Sequence, residues 1–196
     1  MTHRLAIMLS GRGSNFEAIA DAVSRGEIPD AEIVAVVSDV PSAPGLQSAR
    51  ARGLPAHAVD REAFASRRAH EEEVLRILAA SRPDLICLAG YMRVLSPGFV
   101  QAYSGRILNI HPSLLPKYGG LEPQRRALEA GDTESGCTVH VVDEGTDTGP
   151  VVLQYRVPIL PGDTAEQLAA RILEREHEAY PEAIRRFFAV SGALTG

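Results

Sequence analysis

Cysteine is scarce in this chain. Cys87 and Cys137 are the only two among 196 residues, far apart, each inside an apolar stretch and in no Cys-x-x-Cys pair. That pattern argues against a disulfide framework and leaves two buried, reduced thiols as the expectation. The six histidines show no metal-ligand spacing, so no metal ion is expected. Long apolar runs are lacking as well. The stretch Leu-Ala-Ile-Met-Leu at 5–9 stops at Ser10 and Gly11, too short for a signal peptide or a membrane span. A cytoplasmic protein with no membrane partner is the expectation. There is no basic excess: 20 Lys and Arg stand against 25 Asp and Glu, for a net charge of −5. Bulk nucleic-acid binding gains no support from that balance.

What is present is an ordinary globular composition, 45% hydrophobic and 23% charged, with no repeat, low-complexity tract or linker. The length suits a single domain, 1–196, that buries roughly 70% of its unfolded surface and needs no staple.

Strand and helix signals alternate. Strands are predicted at 5–10, 33–38, 55–59, 85–88 and 107–111. Helices are predicted at 15–25, with Phe16, Ile19, Ala20 and Val23 on one stripe, near 46–52 and closed by Gly53, and from the cap Ser66 to about Ala80. Another opens at Ser96-Pro97. The continuous apolar strands argue for a parallel sheet covered on both faces. The last third differs. Stretches 136–142 and 151–157, joined by a short polar loop, predict an antiparallel hairpin at the sheet's edge. A final helix begins near Thr164, where Thr164 and Gln167 fit a capping box. Its predicted stripe is Leu168, Ile172, Leu173, Tyr180 and Ile184.

Residues 109–111 read Asn-Ile-His and are followed at once by Pro112. In a strand alternate side chains share a face, so Asn109 and His111 point one way and Ile110 the other. Proline has no amide hydrogen and ends the ladder there. An amide and an imidazole are thus delivered side by side at a strand end, where ligands bind in open α/β sheets. An isolated Asn-x-His could also merely cap a strand.

The first strand runs into Ser-Gly-Arg-Gly-Ser-Asn at 10–15. Small residues at a strand-to-helix turn let backbone amides approach an anion. Phe16 stands where a dinucleotide fingerprint needs its third glycine, and no Gly-Lys-Ser/Thr follows, so neither that motif nor a P-loop is present. The turn suits one phosphate group, with Ser14 and Asn15 as added donors, although a tight turn alone would look the same. Arg93, among apolar neighbours after the fourth strand, could line a slot for a flat heteroaromatic ligand or simply snorkel. The loop at 143–150 carries three carboxylates. Alone it reads as a solvated turn. Beside an imidazole, a carboxylate within about 4–6 Å would favour the cation and raise its pKa from about 6.5, giving a general acid usable at neutral pH. His140 reads as a packed structural histidine, and His3, His57 and His70 stand in no motif.

Five motifs in order make the chain similar to the phosphoribosylglycinamide formyltransferase family over nearly its whole length. They are Ser-Gly-Arg-Gly-Ser-Asn at 10–15, Leu-Ala-Gly-Tyr-Met-Arg-Val-Leu-Ser-Pro at 88–97, Leu-Asn-Ile-His-Pro-Ser-Leu-Leu-Pro at 108–116, Val-His-Val-Val-Asp-Glu-Gly-Thr-Asp-Thr-Gly-Pro at 139–150 and Arg-Glu-His-Glu-Ala-Tyr-Pro at 175–181. The resemblance implies a formyltransferase fold: a Rossmann-like, mostly parallel central sheet with helices on both faces and an antiparallel C-terminal hairpin. It divides the domain into a nucleotide-binding half, about 1–106, and a folate and catalytic half, about 107–196. It implies Asn109, His111 and Asp147 as the catalytic set, with His140 in support. Gly13, Ser14, Asn15, Phe16 and Glu17 would hold the substrate's phosphate and ribose, and Glu176 its glycinamide end. Arg67, Met92, Arg93, Val94 and Leu95, with Asn109, Asp143, Glu144 and Asp147, would contact the folate. The implied co-substrate is 10-formyltetrahydrofolate and the acceptor phosphoribosylglycinamide, with no metal, no nucleic acid, and a monomer or homodimer as the working form.

One stretch departs from the family pattern. Members commonly carry Pro-Gly and then a nearby histidine after Leu-Leu-Pro. Here the text is Lys117-Tyr118-Gly119-Gly120-Leu121-Glu122-Pro123, and the extra glycine predicts a more mobile loop. A formyltetrahydrofolate hydrolase using the same three residues with water as acceptor stays open, as does a non-catalytic folate or nucleotide binder. A methionyl-tRNA formyltransferase would need an added RNA-binding domain and basic surface, and neither is visible.

Overall fold

A computed structural model describes residues 2–193. The chain divides into two compact units between Leu108 and Asn109. In the first unit, β1 (His3–Leu9) pairs in parallel with β2 (Ala31–Ser38) on one side and β4 (Leu85–Leu88) on the other. β3 (Ala56–Ala58) extends β2, also in parallel. Five successive residues of β1, Leu5, Ala6, Ile7, Met8 and Leu9, are fully buried. A strand covered on both faces has no use for polar alternation, which is why this run reads as continuously apolar. Each such Leu or Ile contributes about 1.5–3 kcal/mol of burial.

The helices of this unit follow their capping signals. α1 (Ser14–Ser24) starts after Gly13 and packs on β2. Its stripe is shifted from the expected one: Ala22 is fully buried, and Val23 only half-buried. α2 (Pro44–Ala51) ends as expected at Gly53, whose φ of 71° takes the left-handed turn. α3 (Arg67–Ser81) is capped by Ser66, whose hydroxyl accepts from the Ala69 amide. α4 (Pro97–Ala102) is capped the same way by Ser96. A single 3₁₀ turn at Arg61–Ala63, not expected, is capped by Asp60.

β5 (Ile107–His111) runs across the unit boundary. In the second unit, β6 (Glu134–Val141) and β7 (Val151–Pro158) form the expected antiparallel hairpin. The seven strands order as β3-β2-β1-β4-β5-β6-β7 in a mixed, mostly parallel sheet. α6 (Ala165–Ala193) packs on β6 and β7. Its capping box is reciprocal: the Thr164 amide donates to Gln167 Oε1 at 2.9 Å, and the Gln167 amide donates to Thr164 Oγ1 at 3.3 Å. Leu173 is half-buried, where full burial was expected, and Glu176 is buried three residues later. α5 (Pro123–Glu129) was not anticipated. It begins at Pro123, the last residue of the 117–123 stretch expected to be a mobile loop.

Among the described residues, no helix is long and apolar enough to cross a membrane. Both cysteines are buried, and neither is in a disulfide. Burial pushes the thiol of Cys137 up to about 12.

Candidate active site

Asn109 and His111 leave the end of β5 on one face and reach the same carboxylate. His111 Nδ1 lies 3.3 Å from Asp147 Oδ2, and Asn109 Nδ2 lies 3.5 Å from Asp147 Oδ1. Pro112 closes the strand directly after them. Asp147 comes from the loop between β6 and β7 and sits at φ 56°, a left-handed conformation that aspartate tolerates better than most residues. Two neighbours fix that loop. Asp143 Oδ1 accepts from the Gly145 amide at 3.1 Å and from the Thr148 hydroxyl at 2.7 Å. At Gly149 a Cβ would meet the Val141 carbonyl oxygen at 1.8 Å, so only glycine fits against the end of β6.

His140 is part of this group. Its Nδ1 lies 3.1 Å from the Val141 carbonyl, which can only accept, so Nδ1 carries a proton. In the neutral ring Nε2 takes a hydrogen from Asn109 Nδ2 at 3.2 Å; in the charged ring it turns to Asp147 Oδ1 at 3.5 Å. His111 faces acceptors at both nitrogens: Asp147 at Nδ1 and the Tyr118 carbonyl, 2.9 Å from Nε2. The Tyr118 carbonyl can only accept, so Nε2 carries a proton. The side chains of His111, Asp147 and His140 are 9%, 11% and 3% exposed, so these contacts act with little screening by water. The His140 ring, the Gly120 N–H at 2.9 Å and the His111 ring hold the Asp147 carboxyl below the usual carboxylate range, against burial, which pushes it up.

The 117–123 segment, expected to be more mobile, is bonded to these groups. Besides the Tyr118 and Gly120 contacts, Arg126 of α5 donates to the Gly119 carbonyl at 2.7 Å and stacks over the Tyr118 ring at 5.4 Å. Glu122 pairs with Arg125, so its carboxylate is spent at the start of α5. Sequence reasoning missed Tyr118 and Gly120 because both act through the backbone, which side-chain patterns do not reveal. Glu176 is buried in α6.

Glu144, also predicted, is exposed in the loop between β6 and β7, and the remaining predicted residues lie in the first unit. Gly13 has φ 78°, and a Cβ there would stand 2.7 Å from Gly45 Cα. As N-cap of α1 it supplies no side-chain acceptor to the first turn. Asn15 is buried and Phe16 fully so, which commits the Phe16 ring to the core. Glu17 bonds Ser48 and Arg52, and Arg52 also holds Asp21 at 2.7 Å. Met92 and Val94 are exposed at 76% and 66%, whereas Leu95 is buried. Arg67 donates to the Val94 carbonyl and to Glu71.

Among the described residues, no group of three His, Cys, Asp or Glu side chains is placed to hold a metal ion. The chemistry available at 109–147 is that of a donor amide, an imidazole and a paired carboxylate.

Comparison with known proteins gives consistent matches. The family model described as formyl transferase matches residues 3–184. The phosphoribosylglycinamide formyltransferase of Escherichia coli (strain K12) is 45% identical over 183 residues, which cover 93% of this chain and 86% of that protein. The trifunctional purine biosynthetic protein adenosine-3 of Drosophila melanogaster is 51% identical over 182 residues, covering 92% of this chain, which spans only 14% of that protein's length. The crystal structure of phosphoribosylglycinamide formyltransferase from Brucella melitensis superposes with a TM-score of 0.91 at 51% identity, covering 95% of this chain and 96% of that one.

Proposed function

The chain belongs to the phosphoribosylglycinamide formyltransferase family, and from that premise we propose that it transfers the formyl group of 10-formyltetrahydrofolate to the amine of 5-phosphoribosylglycinamide. The products are formylglycinamide ribonucleotide and tetrahydrofolate, a step of de novo purine synthesis. The observation that carries this reading is the convergence of Asn109, His111 and His140 on the single carboxylate of Asp147.

The substrate amine attacks the formyl carbon, and negative charge develops on the formyl oxygen. Asn109 uses one amide hydrogen on His140 while that ring is neutral. Its other contact, to Asp147 at 3.5 Å, is at the limit of a hydrogen bond. That hydrogen is the one it can turn to the oxyanion, an effect worth about 3–4 kcal/mol in comparable sites. His111, paired with Asp147, shares the oxyanion's charge and protonates the folate nitrogen as its bond to the formyl carbon breaks, and the attacking amine gives up one proton, which restores the imidazole's. Its Nε2 edge is occupied by the Tyr118 carbonyl, so the reacting groups must take that edge over. No covalent nucleophile is needed. In this reading the amides and hydroxyls of Gly13, Ser14 and Asn15 receive the phosphate, Glu17 and Glu176 contact the rest of the nucleotide, and Met92, Arg93, Val94 and Leu95 meet the folate.

The test supplies purified protein with 10-formyltetrahydrofolate, with and without phosphoribosylglycinamide, and follows tetrahydrofolate. Release only with the nucleotide is the expected result. Equal release without it would make the protein a hydrolase, and no release in either case would leave a binding module.

A further inference from the structure

β1, β2 and β4 pair in parallel and end at the same edge. There the Ser10 hydroxyl donates to Asp39 Oδ1 at 2.5 Å and accepts from the Met92 amide at 2.9 Å. Arg93 Nε donates to the other oxygen, Asp39 Oδ2, at 2.9 Å. The Ser10 amide donates to the Gly90 carbonyl at 3.0 Å. The Asp39 carboxylate is 2% exposed, and Arg93 is half exposed. One buried carboxylate therefore spends both oxygens on groups that lead into the segment 90–93. The far end of this segment is held by a second carboxylate. Glu71 Oε1 accepts from the Ser96 amide at 3.1 Å and from Arg67 Nε at 3.0 Å, and Arg67 Nη2 donates to the Val94 carbonyl at 2.5 Å.

Residues 90–95 have no helix or strand of their own to fix their backbone. Yet they present Met92 and Val94 to solvent, while both ends are tied down by charge. Burying a carboxylate is costly, and well-packed apolar side chains stabilise a core at least as well. What the carboxylate adds is direction: it sets the plane of the Arg93 guanidinium and, through Ser10, the position of the Met92 amide.

We propose that Asp39 is a positioning residue for folate binding, holding the irregular 90–95 segment in the shape the ligand meets. The inference rests on the reading of that segment as the folate contact. Asp39→Asn is isosteric and keeps an acceptor for Ser10, but its amide hydrogens oppose those of Arg93. Losing a charge-assisted bond of this kind should raise the dissociation constant of 10-formyltetrahydrofolate about tenfold. The KM for phosphoribosylglycinamide should stay within twofold. Arg93→Gln should weaken the folate to a similar degree, and the double variant no further, because the two act as one unit. Because Arg93 is itself a proposed folate contact, Ser10→Ala, which cuts the link from Asp39 to the Met92 amide, is the readout if Asp39→Asn fails to fold. Folate binding within twofold of wild type in either variant would overturn the proposal. So would a parallel loss of both ligands with a lowered Tm, the mark of a merely structural role. Because binding is titrated directly by calorimetry, a wild type that binds the folate but does not turn over the nucleotide would sink the functional reading and leave this inference standing. A wild type that binds no folate would sink both.

Discussion

At the end of β5, side chains hold one another. Asn109, His111, His140 and Asp147 are joined within 3.5 Å, with backbone groups of Tyr118, Gly120 and Val141 completing the set. At the end of β1 the turn is made by backbone. Gly13 lies against Gly45 with no room for a Cβ, the Gly45 amide donates to the Gly11 carbonyl at 3.1 Å, and the cap of α1 carries no side-chain acceptor. The difference follows from the task each region is proposed to perform. A proton donor must have its orientation and charge fixed, which takes directional partners from several elements. An anion cradle needs close approach of backbone amides, which takes the absence of side chains. The first region should therefore fail when a functional atom is removed, the second when a carbon is added.

The largest expected effect is at His111. His111→Ala should lower kcat by about 10²–10⁴-fold while calorimetry finds both substrates bound within a few-fold of wild type. Turnover close to wild type would remove the imidazole from the mechanism. Asp147→Asn should be next, with kcat reduced on the order of a hundredfold, since the ring loses its charged partner. Asp147 also carries a pH signature. Its carboxyl is depressed in the folded protein, so its contribution to stability is present above the ordinary carboxylate value of about 4 and is lost as the pH falls through the depressed one. Urea melts should show the stability difference between wild type and Asp147→Asn at pH 7 narrowing below about pH 4.

Gly13→Ala tests the other region. The added methyl meets Gly45 at 2.7 Å in a left-handed backbone, which should cost about 1–3 kcal/mol of stability. Nucleotide affinity should fall with folate affinity unchanged; an equal loss of both would erase the contrast. The smallest kinetic effect is expected at Asp163, a carboxylate as tightly held as Asp147 but in neither region. Its bidentate pair with Arg171, at 2.7 and 2.9 Å, and the Leu160 amide lower its pKa to about 2. Asp163→Asn should leave kcat and both KM values alone. Its stability deficit should be full at neutral pH and disappear as the pH falls from about 4 to about 2.

Much of this was legible in the sequence, for local reasons. β4 and β5 fall on the residues predicted, because apolar runs bounded by turns define buried strands, and the Ser66, Ser96 and Thr164 caps act within three residues of their partners. α5 was missed: it is seven residues long, its start is marked only by Pro123 at the first helical position, and Glu122 before it takes a left-handed conformation and supplies no capping side chain. The stripe of α6 differs at Leu173, which is half-buried, and at Glu176, which is buried although charged; tertiary packing decides both. Asn109, His111 and Asp147 could be picked out by residue type and by family resemblance. Asp39 could not, because its partners lie 29 and 54 positions away. Tyr118 could not, since its contribution is a carbonyl.

The most direct measurement follows the formyl carbon itself. With 10-formyltetrahydrofolate labelled at that carbon and phosphoribosylglycinamide as acceptor, the label should appear in the formamide of the nucleotide product, one equivalent per tetrahydrofolate released. Label recovered as free formate, with the nucleotide unmodified, would contradict the account.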